Sequence, residues 1–346
     1  MPAAKRAPSA VVSSRATKDD LNQTNSKLSQ YQSLTRSAAT VDRNHVGRLM
    51  VSGSDALDLL NRLSTNKLDE VTSGHGMGTV LTTKKGRIVD LLFVTNLEDV
   101  LLVLTSPGRQ KKVSEWIDFY TFGEDVEVRD ISDETSMLGI AGPKAAAVVR
   151  QVLDMDVDGM ALYDSLRSGD RVVVKTDFLG TTAFDILSAY STTEDVIRLF
   201  EDRRLLTVDT DVAEFVRIEN RMPCPESDLT EDYNPLEANL LSHVSFNKGC
   251  YIGQEVVARL NTYDKVQRHL VALGWESDSA LEPGTTLTVG GKNVGAVTSV
   301  ASATWTDRHA ALGYVRTGYV KPGTTLDAAT TGYQLTVTVK GPVEKQ

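Results

Sequence analysis

The sequence predicts an α+β protein: two pseudo-symmetric halves, each an antiparallel sheet with helices, followed by a small C-terminal β-barrel. Three observations carry this. A strand-and-helix pattern runs from Val46 to about residue 130 and then repeats. Beyond Asp264 helical periodicity stops, and short strands follow one another between Gly- and Pro-rich turns. At 346 residues, with 41% hydrophobic and 24% charged side chains, the chain is long enough for two or three packed units. The predicted boundaries are a flexible tail over 1–36, a main body over 37–264 split near 131, and the barrel over 265–346.

The elements follow in order. "MPAAKRAPSAVVSSRATK" has four basic and no acidic residues, with Ser, Ala and Pro throughout. That composition suits a disordered tail. An organelle transit peptide is the alternative, since such peptides favour Arg and Ser and avoid acids. "KDDLNQTN" follows with no clear amphipathic stripe. "VGRLMVSG" alternates like a strand, and "SDALDLLNRL" reads as a helix capped by Ser54 with Leu57, Leu60 and Leu63 on one face. "GTVLTTKKGRIVDLLFVTNLEDVLLVLT" reads as three strands turning at Lys85-Gly86 and Asn96–Asp99. "SPGRQKKVSEWIDFY" predicts a helix with Ser106 as cap, Pro107 at the first helical position and Val113, Trp116, Ile117 and Tyr120 as its apolar stripe.

The second half repeats the pattern. "SMLGIAG", "RVVVKT" and "AFDILSA" are strands, "PKAAAVVRQVL" is a helix, and "STTEDVIRLFEDR" carries a capping box of Ser191 with Glu194. A long proline- and carboxylate-rich linker, "RIENRMPCPESDLTEDYNPLEANL", leads toward the barrel, and a loop of that length inside a folded body is often functional. In the barrel, "PGTTL" occurs twice, at Pro283–Leu287 and Pro322–Leu326, each as a turn leading into a strand.

Charge and composition exclude several functions. A net charge of −9 argues against a nonspecific nucleic-acid or anionic-membrane surface, so no direct nucleic-acid binding is expected. The apolar runs are far too short to span a bilayer. Two cysteines, Cys224 and Cys250, make no disulfide framework and point to a reducing cytoplasm, and an organellar matrix follows only if the tail is a transit peptide. No metal site is predicted: CxxC, HxxxH and HExxH are absent and the five histidines are scattered. Two thiols cannot supply the four that an iron–sulfur cluster usually takes from its host. Neither "GHGMG" nor "KKGR" has a phosphate-loop pattern.

The stretch "FNKGCYIGQEVVARL" concentrates the candidate chemistry. Cys250 sits two residues after Lys248 and just before a helix start, in a turn bracketed by Gly249 and Gly253. A nearby cation and a helix N-terminus both stabilise a thiolate. A free cysteine is also commonly a small buried hydrophobe, so the residues alone leave both roles open.

"KGCYIGQEVVAR" resembles the signature of the YgfZ group, within the superfamily of the glycine-cleavage T-protein, an aminomethyltransferase. The motif covers Lys248, Gly249, Cys250, Tyr251, Gly253, Gln254, Glu255 and Arg259. More weakly, "VGRLMVSGSDALDLLNRLSTNKL", "PLEANL" and "VGAVTS" resemble other superfamily elements, over roughly Tyr31 to Val343. The resemblance implies a tetrahydrofolate-binding body with a barrel attached. It implies an accessory role in assembly or repair of iron–sulfur enzymes, linked in bacteria to tRNA methylthiolation. Iron–sulfur proteins or carriers would then be transient partners. Two other readings are a folate-dependent aminomethyl- or methyltransferase and a non-enzymatic scaffold. By the same resemblance "RIE" places Glu219 on the pterin ring, with Arg217 helping to position it. "GRIVDLL" keeps Asp90 as a candidate base but has Leu91 where the T-protein has a second aspartate. The T-protein's asparagine is Thr105 here, and its "GYTGE" segment is replaced around "TDFLGTT".

Overall fold

The computed structural model describes residues 18–276, 279–303, 305–306, 308–330 and 333–343. The chain opens on α1 (Lys18–Arg36) and β1 (Ala39–Asp42). The first half continues with β2 (Gly47–Ser52), α2 (Ala56–Leu63), β3 (Gly76–Thr82), β4 (Ile88–Asn96), β5 (Leu101–Thr105), α3 (Gln110–Phe119) and β6 (Glu127–Asp130). The second half holds β7 (Thr135–Ala141), α4 (Ala145–Leu153), β8 (Ser165–Ser168), β9 (Arg171–Thr176), β10 (Ala183–Ala189) and α5 (Thr193–Glu201). Helices α6 (Thr210–Glu219) and α7 (Gln254–Thr262) flank the proline-rich linker. The barrel is built from β11 (Arg268–Gly274), β12 (Thr286–Val289), β13 (Lys292–Ala303), β14 (Arg308–Arg316), β15 (Thr325–Ala329) and β16 (Gln334–Pro342).

These elements form two five-stranded sheets, β3-β4-β5-β2-β6 and β1-β7-β10-β9-β8, and a closed barrel of order β11-β14-β13-β12-β15-β16. The predicted α+β architecture is therefore present. The halves are not cut cleanly along the chain, however. β1 lies antiparallel to β7, with Ala39 opposite Ala141 and Asp42 opposite Leu138, so the first strand belongs to the second half's sheet. The two "PGTTL" copies lead into β12 and β15, which pair with each other at Leu287–Ala328 and Thr288–Asp327.

Each sheet buries one face against its helices. Leu59, Leu60 and Leu63 of α2 pack on Leu49, Leu92 and Val103, and Val149 of α4 and Phe200 of α5 pack on Ile140, Val173 and Phe184. A further cluster joins Val80, Ile88 and Leu91 of the first sheet to Ile218 of α6 and to Leu270, Leu312 and Tyr314 of the barrel. The barrel is thus seated on the body by a shared core.

Four local expectations are corrected. The tail predicted over 1–36 is helical from Lys18, and Leu34 is 1% exposed in a core with Phe215 and Val216 of α6. Residues 1–17 lie outside the described residues. Ser106 does not cap α3, which begins at Gln110, because the Ser106 hydroxyl is taken by Asp90. Ser54 binds Asp125 Oδ2 through its amide (2.9 Å) and hydroxyl (3.0 Å), leaving Asp55 at the N-cap of α2. Likewise Ser191 lies in a 3-10 turn, and Glu194 of the expected capping box pairs with Arg198 at 3.1 Å.

Candidate functional site

A cavity of about 1070 Å³ opens between the two halves, at the upper end of the size usual for small-molecule sites. Its walls come from β1 and the turn after it, from β3, β4 and the end of β5, from the 177–180 turn, from one face of α6, and from the linker. Strand alternation decides which β4 side chains reach it. Leu91 and Phe93 line the cavity, while Leu92 and Val94 point into the α2-side core. Phe93 stacks on Tyr163 with centroids 4.6 Å apart, and Tyr163 Oη lies 3.4 Å from His243 Nε2. Gly78 must be glycine for this packing, since a Cβ there would stand 2.3 Å from the His243 ring.

Asp90 is 2% exposed and is not among the cavity-lining residues. Ser106, which does line the cavity, engages both of its oxygens: the amide donates to Oδ2 at 3.1 Å and the hydroxyl donates to Oδ1. Burial raises Asp90 to about 6, against the lowering effect of these bonds. The retained aspartate thus reaches the cavity only through Ser106, and the cavity-facing position beside it is Leu91.

Helix α6 lines the cavity with Thr210, Ala213, Glu214 and Arg217, at helical spacings of three and four. Arg217 grips Glu214 with a fork, Nε to Oε2 at 2.7 Å and Nη2 to Oε1. Its Nη1 also reaches the fully buried Asp228 at 3.2 Å. Burial alone would lower Arg217, but Glu214 and Asp228 outweigh it and hold the guanidinium charged.

Glu219 is placed elsewhere on the helix. Two residues on from Arg217 it falls on another face of α6, where it accepts from Tyr31 Oη at 2.8 Å and pairs with Arg308 of the barrel. It is not among the residues lining the cavity. Sequence reading missed Glu214 because α6 was not recognised. The signal was present in the Glu-x-x-Arg spacing of Glu214 and Arg217 and in a helix start just after Asp209.

The signature loop lies apart from these groups, since none of its members is among the cavity-lining residues. Cys250 is exposed, and both cysteines are free thiols. Lys248 is turned inward and does not serve Cys250 as expected. Its ammonium donates to the carbonyls of Asn61 (2.6 Å), Ser64 (2.8 Å) and Asn66, at the end of α2. Burial pulls Lys248 down to about 8. The lysine therefore anchors the loop. Gly253, at φ +86, is the N-cap of α7 and lets Thr83 O approach, where a Cβ would stand at 2.6 Å. That close neighbour is the protein's own backbone. Tyr251 is buried, Gln254 reaches back to Gly249 O at 3.4 Å, and Glu255 and Arg259 are exposed on α7. Cys224 lines the central cavity, and burial pushes its thiol up.

A second, more open groove of about 980 Å³ runs past the β3–β4 turn, where Lys84, Lys85 and Arg87 face Trp116, Tyr120 and Tyr233.

Two antiparallel half-domains around a ligand-sized cavity, with a six-stranded barrel seated on them, define a two-part body with a central cavity and a barrel appended. The GCVT N-terminal domain matches residues 22–248 and the glycine cleavage T-protein C-terminal barrel domain matches residues 268–343. The chain belongs to this family, that of the folate-dependent aminomethyltransferases. It is 31% identical over 291 residues to a chloroplastic protein of Arabidopsis thaliana named only provisionally as a transferase, covering 83% of this chain and 67% of that one. An aminomethyltransferase of Thermotoga neapolitana is 29% identical over 280 residues, covering 78% of this chain and 76% of that one. The crystal structure of the glycine cleavage system aminomethyltransferase T from Bartonella henselae superposes with a TM-score of 0.82 at 21% identity, over 91% of this chain and 88% of that one, a likeness in fold.

Proposed function

We propose that this protein binds a reduced folate in its central cavity and acts on the one-carbon unit the folate carries, as a transferase of the aminomethyl or methyl class. The observation that carries the reading is the cavity's chemistry. Leu91 and Phe93 supply a flat apolar wall, and Glu214 supplies a carboxylate fixed by Arg217. Arg221, also on the lining, donates to the carbonyls of Pro342 and Lys340 and so keeps its positive charge for an anionic tail. Bound tetrahydrofolate supplies the nitrogens that carry the one-carbon unit. Acid–base work falls to the Ser106–Asp90 pair, in which a cavity-lining hydroxyl is backed by a carboxylate raised to about 6, a value suited to proton transfer near neutral pH. Calorimetric titration of the full chain with tetrahydrofolate should show saturable one-to-one binding, and a flat titration would remove this reading.

Two observations favour a second reading, a YgfZ-type accessory role toward iron–sulfur enzymes. The thiol of the signature loop, Cys250, is exposed, and Leu91 occupies the cavity-facing position of β4. In this reading the thiol meets a cluster protein or carrier by transient ligation or mixed disulfide. Substitution separates the two. Asp90→Asn should abolish one-carbon transfer and spare activation of a cluster enzyme, and Cys250→Ser should do the reverse. A non-enzymatic scaffold would tolerate both. An organellar address is part of the proposal: the similar Arabidopsis protein is chloroplastic, and residues 1–18 are basic and free of acids.

A further inference from the structure

We propose that the groove of about 980 Å³ beside the β3–β4 turn is a second binding site, for a nucleoside phosphate. Its phosphates meet Lys84, Lys85, Arg87 and Arg268, and its base stacks on the aromatic side chains that share the groove. None of these residues lines the central cavity, so the inference does not depend on the folate reading. The cations come first. Arg87 and Arg268 share one buried carboxylate, that of Glu237, at 3.3 and 3.1 Å, and both also donate to Asp232 O. Two guanidiniums on one carboxylate leave a fixed surplus of positive charge. Donors on Nε and Nη2 of Arg87 and on Nη1 of Arg268 have no protein partner among the described residues. The exposed ammoniums of Lys84 and Lys85 likewise make no ion pair or hydrogen bond among the described residues. Their turn is closed by Thr83 N to Arg87 O (2.9 Å) and Gly86 N to Thr83 O (2.8 Å), and Gly86 rests against Val256 and Val257 of α7. In a chain of net charge −9, this is a local, pre-organised site for an anion.

The aromatic side chains say what kind of anion. Lys112, Trp116 and Tyr120 recur every four residues and so fall on one side of α3. The Trp116 and Tyr120 rings lie 5.5 Å apart. Lys112 Nζ reaches Glu231 at 2.6 Å and ties that side of the helix to the linker. On the linker, Tyr233 stacks on Tyr314 with centroids 3.4 Å apart, and the Arg268 guanidinium lies 4.5 Å from the Tyr233 ring. A concave site with aromatic walls and several unspent cationic donors fits a planar base joined to phosphate. Stacking of this kind does not choose among the bases. The groove also carries Asp232, a carboxylate that repels a bare polyphosphate or an acidic peptide. Ribose hydroxyls donate, and they give that carboxylate a partner.

The test is calorimetric titration of the full chain with adenosine triphosphate, adenosine and inorganic tripolyphosphate. Adenosine triphosphate should bind one-to-one and more tightly than either fragment. Replacing the two exposed lysines together, Lys84→Ala with Lys85→Ala, should weaken it about 10- to 100-fold, as expected for lost charge-assisted contacts. The melting temperature should be kept, and adenosine should stay within about threefold of its affinity for the parent. Binding should quench tryptophan fluorescence in the parent, and Trp116→Phe should remove the quench while keeping a ring to stack on. A saturating amount of tetrahydrofolate should leave the titration unchanged. Failure of the parent to bind adenosine triphosphate overturns the proposal, as does unchanged affinity in the folded double variant. Tripolyphosphate binding as tightly as the nucleotide would show that the rings recognise nothing. Displacement of the nucleotide by tetrahydrofolate would place it in the central cavity, and displacement by a glutamate-rich peptide of lower concentration would make the groove a protein-docking surface. Each of these three results overturns the assignment.

Discussion

Asp90 shows how one enclosed carboxylate shapes both chemistry and stability. Burial raises it from 3.8 to about 6 while Ser106 holds both oxygens. A raised acid favours the folded state while it is protonated. Its contribution is fully present below pH 3.8 and is lost as pH climbs through about 6, because in that window the unfolded chain has released the proton and the folded one has not. The shift corresponds to about 3 kcal/mol at 1.36 kcal/mol per unit. Asp90→Asn keeps the shape, can still accept from the Ser106 amide, and does not titrate. Denaturant unfolding across pH 3.5–8 should show the parent losing up to that amount relative to the variant by about pH 6, with a constant gap above. Parallel pH profiles for the two proteins would mean that Asp90 titrates like an exposed aspartate. The thiols divide by the same physics, exposure. Cys250 is open to reagent, while Cys224 is half-buried with its thiol pushed up. Alkylation near neutral pH, followed by mass spectrometry, should label Cys250 first, and Cys250→Ser should remove the fast phase with little change in melting temperature. Faster labelling of Cys224 would contradict that.

At the scale of elements, the outcome tracks how local each signal is. The barrel strands and their Gly- and Pro-rich turns announce themselves over a few residues, and they are where expected. The helix α1 does not. Its sequence is rich in Asp, Asn, Gln, Ser and Thr, which suits a disordered segment, and after Leu21 only Leu28, Tyr31 and Leu34 mark a narrow apolar line at spacings of three. That line becomes decisive because α6 and the barrel offer Phe215, Val216 and Trp305 to pack against. Distant contacts likewise hid the fate of Lys248, whose partner carbonyls lie more than 180 residues earlier. Neighbouring residues suggest a cation for Cys250, and tertiary structure spends it on α2. The position of Glu214 was recoverable in principle, since Glu-x-x-Arg spacing is a helical signal, but which α6 face meets the cavity is set by the barrel. The α1 packing has a direct test. Leu34 is 1% exposed, so Leu34→Ala should cost about 2–5 kcal/mol in urea unfolding through lost burial and the cavity left behind. A cost near zero would restore the view of this segment as a dispensable tail.

Across the whole molecule, the barrel and the body share one core and one polar network. Leu270, Leu312 and Tyr314 of the barrel pack with Val80, Ile88 and Leu91 of the first sheet, and Tyr314 Oη donates to Asp228 O at 2.8 Å. Asp228, 0% exposed, joins Arg217 of α6 to Thr298 and Ser299 of β13. The same Arg217 holds Glu214 at the cavity, so the barrel is one bonded residue away from the group proposed to meet the ligand. Asp228→Asn keeps the size and one acceptor oxygen but removes the buried counter-charge, leaving Arg217 with Glu214 alone. Breaking a buried pair in this way costs about 3–5 kcal/mol. Differential scanning calorimetry should therefore show a single transition in the parent and a single, lower one in the variant, because the shared core melts with both parts. Binding should follow stability in direction: a ligand that engages only the folded chain raises its melting point, and a Glu214 no longer steadied by an anchored Arg217 should give tetrahydrofolate a smaller rise in Asp228→Asn than in the parent. Separate barrel and body transitions in the parent, or an unchanged folate-induced rise in the variant, would show that the barrel is carried by the body without being coupled to its cavity.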